Sequence, residues 1–134
     1  MAALTLLDDI EPAHADLLRQ AGIRSINQLL EDCRTDEGRQ ELSRRTGLGR
    51  EQVDRWVRLA DLCRIRGVGP EYAHLLAAAG ASTASELADR DPAGLLQEMA
   101  ERNRTRKYVQ RLPSQGKVHH WVEQARNLVR IIGY

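Results

Sequence analysis

There is no phenylalanine in this chain of 134 residues, and aromatic side chains make up only 4% of it. Trp56, Trp121 and three tyrosines supply all the aromatic bulk, so Leu, Ala, Val and Ile must fill most of a core. That composition favours packed helices over a sheet, where aromatic and β-branched residues are enriched. Cysteine is scarce too. Cys33 and Cys63 stand far apart and neither belongs to a closely spaced ligand pair, which reads as two reduced structural thiols. No apolar run approaches the length needed to span a bilayer. The opening Met1-Ala2-Ala3-Leu4-Thr5-Leu6-Leu7 has no basic segment and is cut short by Asp8-Asp9, so it does not read as a signal peptide. The expected location is cytoplasmic, with no membrane partner.

A large net charge is also lacking: the total is +1, and an overall pI near 7.9 gives no argument for a polyanionic partner. The distribution is less even. Residues 1–100 hold twelve arginines against seventeen carboxylates, a net −5, whereas residues 101–134 hold eight basic against two acidic residues, a net +6. An acidic body with a basic end can pair internally, pair between subunits, or present the basic end to a polyanion.

What the chain does contain is a repeat. Ile10–Leu30 aligned with Val68–Ala88 at an offset of 58 matches at 7 of 21 positions, among them Pro12/Pro70, Ala15/Ala73, Leu18/Leu76 and Gly22/Gly80. Val53-x-x-Trp56-Val57-x-x-Ala60 recurs as Val118-x-x-Trp121-Val122-x-x-Ala125 at an offset of 65. Two duplicated helical modules are expected, residues 1–65 and 66–134, each closed by its tryptophan helix. In each, a first helix (near 12–21 and 70–79) stops at a glycine, Gly22 or Gly80. A short second helix follows, opened by Ser25-x-x-Gln28 or Thr83-x-x-Glu86 as a capping box. Asp91-Pro92 caps a further helix through about Glu101. The closing helices, near 50–64 and 115–132, carry Trp56 and Trp121 on apolar stripes, as core wedges rather than base-stacking platforms.

The most informative stretch joins the modules. In Leu62-Cys63-Arg64-Ile65-Arg66-Gly67-Val68-Gly69-Pro70, two glycines bracket an apolar Val68 so that the chain can turn tightly while one side chain tucks inward. Pro70 suits the first turn of the next helix, whose opening amides have no partner within the helix and can hold an anion. Thr46-Gly47-Leu48-Gly49 imitates this pattern, either as a second hairpin or as a tight helix–helix joint. Ile10-Glu11-Pro12 has lost the glycine, and Asp8, Asp9 and Glu11 would repel phosphate there.

These residues carry a resemblance. Leu62-x-x-Ile65-x-Gly67-Val68-Gly69-Pro70-x-x-Ala73-x-x-Leu76-x-x-x-Gly80 resembles the helix-hairpin-helix motif of DNA repair and recombination proteins. With the downstream Pro113-Ser114 and the Trp121 pattern, the chain from about Ile10 to Val129 is similar to the bacterial and archaeal family called domain of unknown function 4332. The resemblance implies an all-α fold of two helix-hairpin-helix-like modules. It also implies a phosphate contact through the amides of Gly67, Val68 and Gly69, with Arg66 beside them as a basic residue that can partly compensate for the unfavourable Glu71. Glu71 departs from the pattern, because its carboxylate opposes a phosphate and equally well stabilises the helix start.

The densest positive run is Arg102-Asn103-Arg104-Thr105-Arg106-Lys107-Tyr108-Val109-Gln110-Arg111. On a helix, Arg104 and Lys107 share a face, as do Arg102 and Arg106, with Tyr108 and Leu112 directed inward. Lys117, Arg126 and Arg130 continue the basic character along the closing helix. Such a surface attracts phosphates through summed charge, or forms a solvated face that complements the acidic first module. His119-His120 are adjacent and point to different faces, a poor metal pair, and no nucleotide-binding loop is present. No catalytic residue, metal or cofactor is expected. The expected function is nonspecific, non-catalytic binding of a DNA or RNA backbone; the alternative is a protein-interaction adaptor, self-association included, or a structural module that binds no nucleic acid.

Overall fold

The computed structural model describes residues 11–128 and Gly133. Among them the chain is all-α: eight helices and no β-strand. Contacts divide the chain into two compact units, Met1–Asp61 with Ile131–Tyr134, and Leu62–Arg130. No helix among the described residues is long and apolar enough to cross a membrane.

The first unit opens with α1 (Pro12–Gln20) and α2 (Ile26–Asp32). A Schellman turn ends α1: the Gly22 amide donates to Arg19 O at 2.9 Å and the Ile23 amide to Leu18 O at 2.8 Å, with Gly22 at φ +91°. Leu18 and Ile23, the apolar pair that such a turn brings together, are both fully buried. The Ser25 hydroxyl then accepts the Gln28 amide at 3.2 Å, and the Gln28 side chain reaches one residue beyond the cap, accepting Arg24 N–H at 2.7 Å. Both ends of the expected capping box are thus filled, the second by the residue before the cap.

The next helix, α3 (Asp36–Thr46), is not anticipated by the sequence reading above. Its signals are local: Thr35 Oγ1 accepts Gly38 N–H at 3.0 Å, Asp36 and Glu37 occupy the first turn, Arg44 and Arg45 the last, and Gly47 closes it at φ +76°. Gly38 is required by space, since a Cβ there would lie 2.1 Å from Asp32 O at the end of α2. The joint to α4 (Arg50–Leu62) closes on itself, with the Ser43 hydroxyl donating to Leu48 O and the Leu48 amide to Thr46 Oγ1. The helix α4 stops at Leu62, short of the expected residue 64.

Trp56 and Val53 of α4 lie fully buried, with Leu29 of α2 and Leu42 of α3. The Trp56 ring meets His14 of α1 with centroids 5.6 Å apart and planes tilted by 55°. Arg39 is buried too, at 3% exposure, and its guanidinium is satisfied by Cys33 O at 2.9 Å, Gly133 O at 2.6 Å and the Asp54 carboxylate at 3.3 Å. Arg50 holds the same Asp54 at 2.9 Å and also Asp36. This hydrogen bond and charge depress the Asp36 carboxyl pKa below its ordinary range.

The second unit repeats several of these devices. The helix α5 (Pro70–Ala78) ends in the same turn, Gly80 N–H on Ala77 O and Ala81 N–H on Leu76 O, with Gly80 at φ +95°. Thr83 caps α6 (Ala84–Ala88) through the Glu86 amide, while Glu86 accepts Ser82 N–H at 2.9 Å. Asp91 caps α7 through the Gly94 amide at 3.0 Å, but α7 (Pro92–Thr105) runs a full turn past Glu101. The last helix, α8 (Gln115–Asn127), is capped by Ser114 and ends before the expected residue 132. It packs on α6 and α7, and α5 packs on α7. Trp121, Val118 and Val122 form its buried stripe.

Candidate nucleic-acid interface

The hairpin is built by two short turns. Ile65 N–H donates to Leu62 O and Val68 N–H to Ile65 O, both at 3.1 Å, and Gly67 takes φ +91° between them. Val68 is buried, which fixes the loop to the unit's interior. The Val68 amide, expected to face phosphate, is thereby engaged within the turn. Gly67 and Gly69 keep amides with no hydrogen-bond partner among the described residues. Gly69 is the cap of α5 and supplies no side chain, so the first turn of α5 is open, whereas Ser114, Thr83 and Asp91 close the starts of α8, α6 and α7. Glu71 is exposed at the second position of α5.

Two distant side chains set the hairpin's position. The Gln124 amide grips the backbone of Arg66 at both ends, Oε1 accepting Arg66 N–H at 3.0 Å and Nε2 donating to Arg66 O at 3.2 Å. Trp121 lies directly under the turn, since a Cβ on Gly67 would stand 3.0 Å from its Nε1. The Trp121 ring also packs against Tyr72, centroids 5.2 Å apart and tilted by 57°. The Tyr72 hydroxyl continues outward and donates to Arg111 O at 3.2 Å. Gly67, Trp121, Tyr72 and Arg111 thus form one unbroken line of contacts from the hairpin to the basic segment.

That segment is not the helix expected for it. α7 ends at Thr105, and Arg106 is extended, at φ −142° and ψ 120°. Asn103 folds back to end the helix: its Oδ1 accepts the amides of Tyr108 at 2.8 Å and Val109 at 3.1 Å, and its Nδ2 donates to Val109 O at 3.3 Å. Lys107 therefore shares no helical face with Arg104, and Arg102 shares none with Arg106. Arg104 pairs instead with Glu101 at 3.1 Å, and Arg106 lies over the Tyr108 ring, 5.0 Å from its centroid. Val109 and Pro113 are buried, and Tyr108 is half-buried. Leu112, expected inward, is 36% exposed. Arg66, Lys107 and Arg111 are exposed, with no carboxylate partner among the described residues.

On α8, Lys117, His120 and Gln124 fall on one stripe, so Lys117 rises from the face that Gln124 turns to the hairpin. Arg126 is nine residues beyond Lys117, two and a half turns, and so lies on the opposite face; its Nε donates to Ala88 O at 3.1 Å. His119 meets Glu123 at 3.5 Å. Arg130 lies outside the described residues. Tyr72 ties the Arg111 carbonyl to the helix that follows the hairpin, and Lys117 stands about two turns before Gln124 on the same stripe of α8, whereas Arg104 pairs with Glu101 and Arg126 with Ala88 O. Gln124, Tyr72 and Asn103 are the residues that sequence reasoning missed as organisers of this surface.

Other chemistry is sparse. Among the described residues no three His, Cys, Asp or Glu side chains gather into a metal-binding group. Open grooves flank the start of α7, one of about 360 Å³ along Arg90, Leu95 and Glu98, the other against Gln115 and His119. Cys33 and Cys63 are unpaired thiols, and burial is the leading cause that pushes each from its ordinary 9.0 up to about 11.

No curated protein and no solved structure matches the chain. A family model, described as domain of unknown function (DUF4332), matches residues 2–128. Covering nearly all of the chain, that match shows that the protein belongs to the DUF4332 family.

Proposed function

We propose that this protein is a non-catalytic, cytoplasmic binder of the DNA or RNA backbone, and that Leu62–Gly80 works in it as a helix-hairpin-helix. The observation that carries the reading is the line of contacts from Gly67 through Trp121 and Tyr72 to Arg111, because it sets an uncapped helix start beside a basic loop. Open amides at a helix start favour an anion, and unpaired arginine and lysine add sequence-independent attraction to phosphates. The exposed Glu71 weakens such a site but leaves room for it, since Arg66, Lys107 and Arg111 outnumber it.

We also read the chain as an internal duplication in which only the second copy keeps this activity. Support comes from the two aromatic pairs: His14 on Trp56 and Tyr72 on Trp121 stand at the matched offsets of 58 and 65 and have nearly the same spacing and tilt. In the first copy Glu11 caps α1 where Gly69 caps α5, so a carboxylate replaces the open glycine.

The test is fluorescence anisotropy with a labelled 20-base-pair duplex and a 20-nucleotide single strand. If Arg66, Lys107 and Arg111 each neutralise one phosphate, duplex affinity should fall about 40-fold between 50 and 200 mM salt. The double substitution Lys107→Glu with Arg111→Glu should abolish binding at the higher salt. No shift with either probe at low salt would overturn the reading, and a protein partner captured after nuclease treatment would replace it with the adaptor role.

A further inference from the structure

We infer that the loop after α7, Arg106–Leu112, is a second phosphate contact, separately pinned, and that Tyr72 is the positioning residue that couples it to the hairpin. The inference rests on the backbone-binding reading and specifies its geometry: the protein grips one nucleic-acid backbone at two places. Three observations set this loop apart from an ordinary exposed connection. First, Asn103 makes three hydrogen bonds to its backbone, at Tyr108 and Val109. Second, buried Val109 and Pro113 anchor it on either side of Arg111. Third, Tyr72 holds the carbonyl of Arg111 itself.

A loop held this way fixes the backbone from which its cations project. Among the described residues Lys107 and Arg111 have no carboxylate to neutralise them, unlike Arg104, which spends its charge on Glu101. Ordering a long cationic side chain against a phosphate costs rotamer entropy, and a prefixed backbone lowers the part of that cost borne at binding. Tyr72 is suited to coupling because its two ends do different things. The ring packs on Trp121, beneath the hairpin, and the hydroxyl reaches the loop. Removing the oxygen alone separates the two.

The experiment measures the salt dependence of binding for the whole 134-residue chain, using the same duplex and single strand, with vesicles of phosphatidylserine in phosphatidylcholine as a third probe. Wild type should show a duplex slope of about −2.7 in log K against log salt, three contacts. Tyr72→Phe should keep its fold, bind about fivefold more weakly at 100 mM salt, and show a slope of about −1.8, one contact fewer. Arg111→Gln should give the same slope, and the double variant no further change, since both substitutions remove one contact. Asn103→Ala, acting from the loop's other side, should also flatten the slope.

A role for Tyr72 in packing alone would lower stability and leave the slope untouched, and that outcome overturns the inference while the backbone-binding reading stands. Additive losses in the Tyr72→Phe, Arg111→Gln cycle would overturn it as well. If wild type ignores both nucleic acids, both proposals fall, and binding to the anionic vesicles alone would assign the basic loop to a lipid surface.

Discussion

Each unit buries one tryptophan against the third residue of its opening helix, His14 on Trp56 in the first and Tyr72 on Trp121 in the second, at 5.6 and 5.2 Å. What surrounds the pair differs. In the second unit the partner's hydroxyl goes on to Arg111 O and the indole edge underlies Gly67. In the first, His14 Nδ1 and Trp56 Nε1 are buried without a hydrogen-bond partner among the described residues, and the polar organisation lies elsewhere, along Arg39, Asp54, Arg50 and Asp36. The apolar wedge is common to both units because it serves packing. The polar periphery, which a wedge does not dictate, decides which unit presents a loop and a hairpin outward and which buries an arginine, Arg39, in its interior.

The harshest way to break the comparison is to remove the wedge. Trp56→Ala and Trp121→Ala should each cost about 3–5 kcal/mol in urea denaturation, the usual range for deleting a fully buried large aromatic side chain. Only Trp121→Ala should also speed hydrogen exchange at Val68, because of the two tryptophans Trp121 is the one beneath the hairpin. Next comes Arg39→Met, which keeps bulk but removes the donors to Cys33 O and Gly133 O. About 2 kcal/mol should be lost, less than for a fully enclosed ion pair, because Asp54 is partly exposed and retains Arg50. Exchange at Val68 should not change.

The same contrast explains what could be read in advance. Helix starts and stops were legible because caps act over three or four residues: Ser25, Thr83, Asp91, Gly22 and Gly80 do what their spacing suggests, and both tryptophans are core. The helix α3 escaped because its face is nearly all polar; Leu42 is its one buried apolar residue, and its other buried residue is an arginine. A hydrophobic period finds no such helix, although the Thr35 cap and the Gly47 stop were there to be seen. The basic run failed in the opposite direction. Arg102 to Lys107 are adequate helix formers, and nothing periodic announces that Asn103 will bend back onto Tyr108 and Val109. Gln124 on Arg66 and Tyr72 on Arg111 bridge 58 and 39 residues, and a single side chain meeting a distant peptide group leaves no pattern along the chain. The hairpin was legible as a shape, while the residues that aim it were not.

A milder test compares turns. Gly67→Ala puts a Cβ at φ +91° and 3.0 Å from Trp121 Nε1, whereas Gly47→Ala, at φ +76°, meets nothing within 4 Å. Left-handed strain of about 1 kcal/mol should be common to both. Thermal denaturation should show Gly67→Ala to be the costlier, by about a further 1 kcal/mol for crowding the indole. Equal losses would mean that Trp121 yields freely and that the hairpin is held by Gln124 alone.

The smallest effect at neutral pH belongs to the two thiols, one in each unit. Both are raised to about 11, and burial leads in each, but Cys33 also feels Asp32 and Asp54 raising it against Arg39 lowering it, whereas Cys63 has burial alone. At pH 8 each should react with iodoacetamide about a hundredfold more slowly than an ordinary thiol, because so little of it is thiolate. The sign for stability follows from the proton count: between about pH 9 and 11 the folded thiols hold protons that the unfolded chain has lost, so stability present below pH 9 declines through that window. Asp32→Asn should then separate the units. It lowers the Cys33 pKa and quickens its alkylation while Cys63 stays as it was, since charge reaches the thiol in the first unit and only burial governs the thiol in the second.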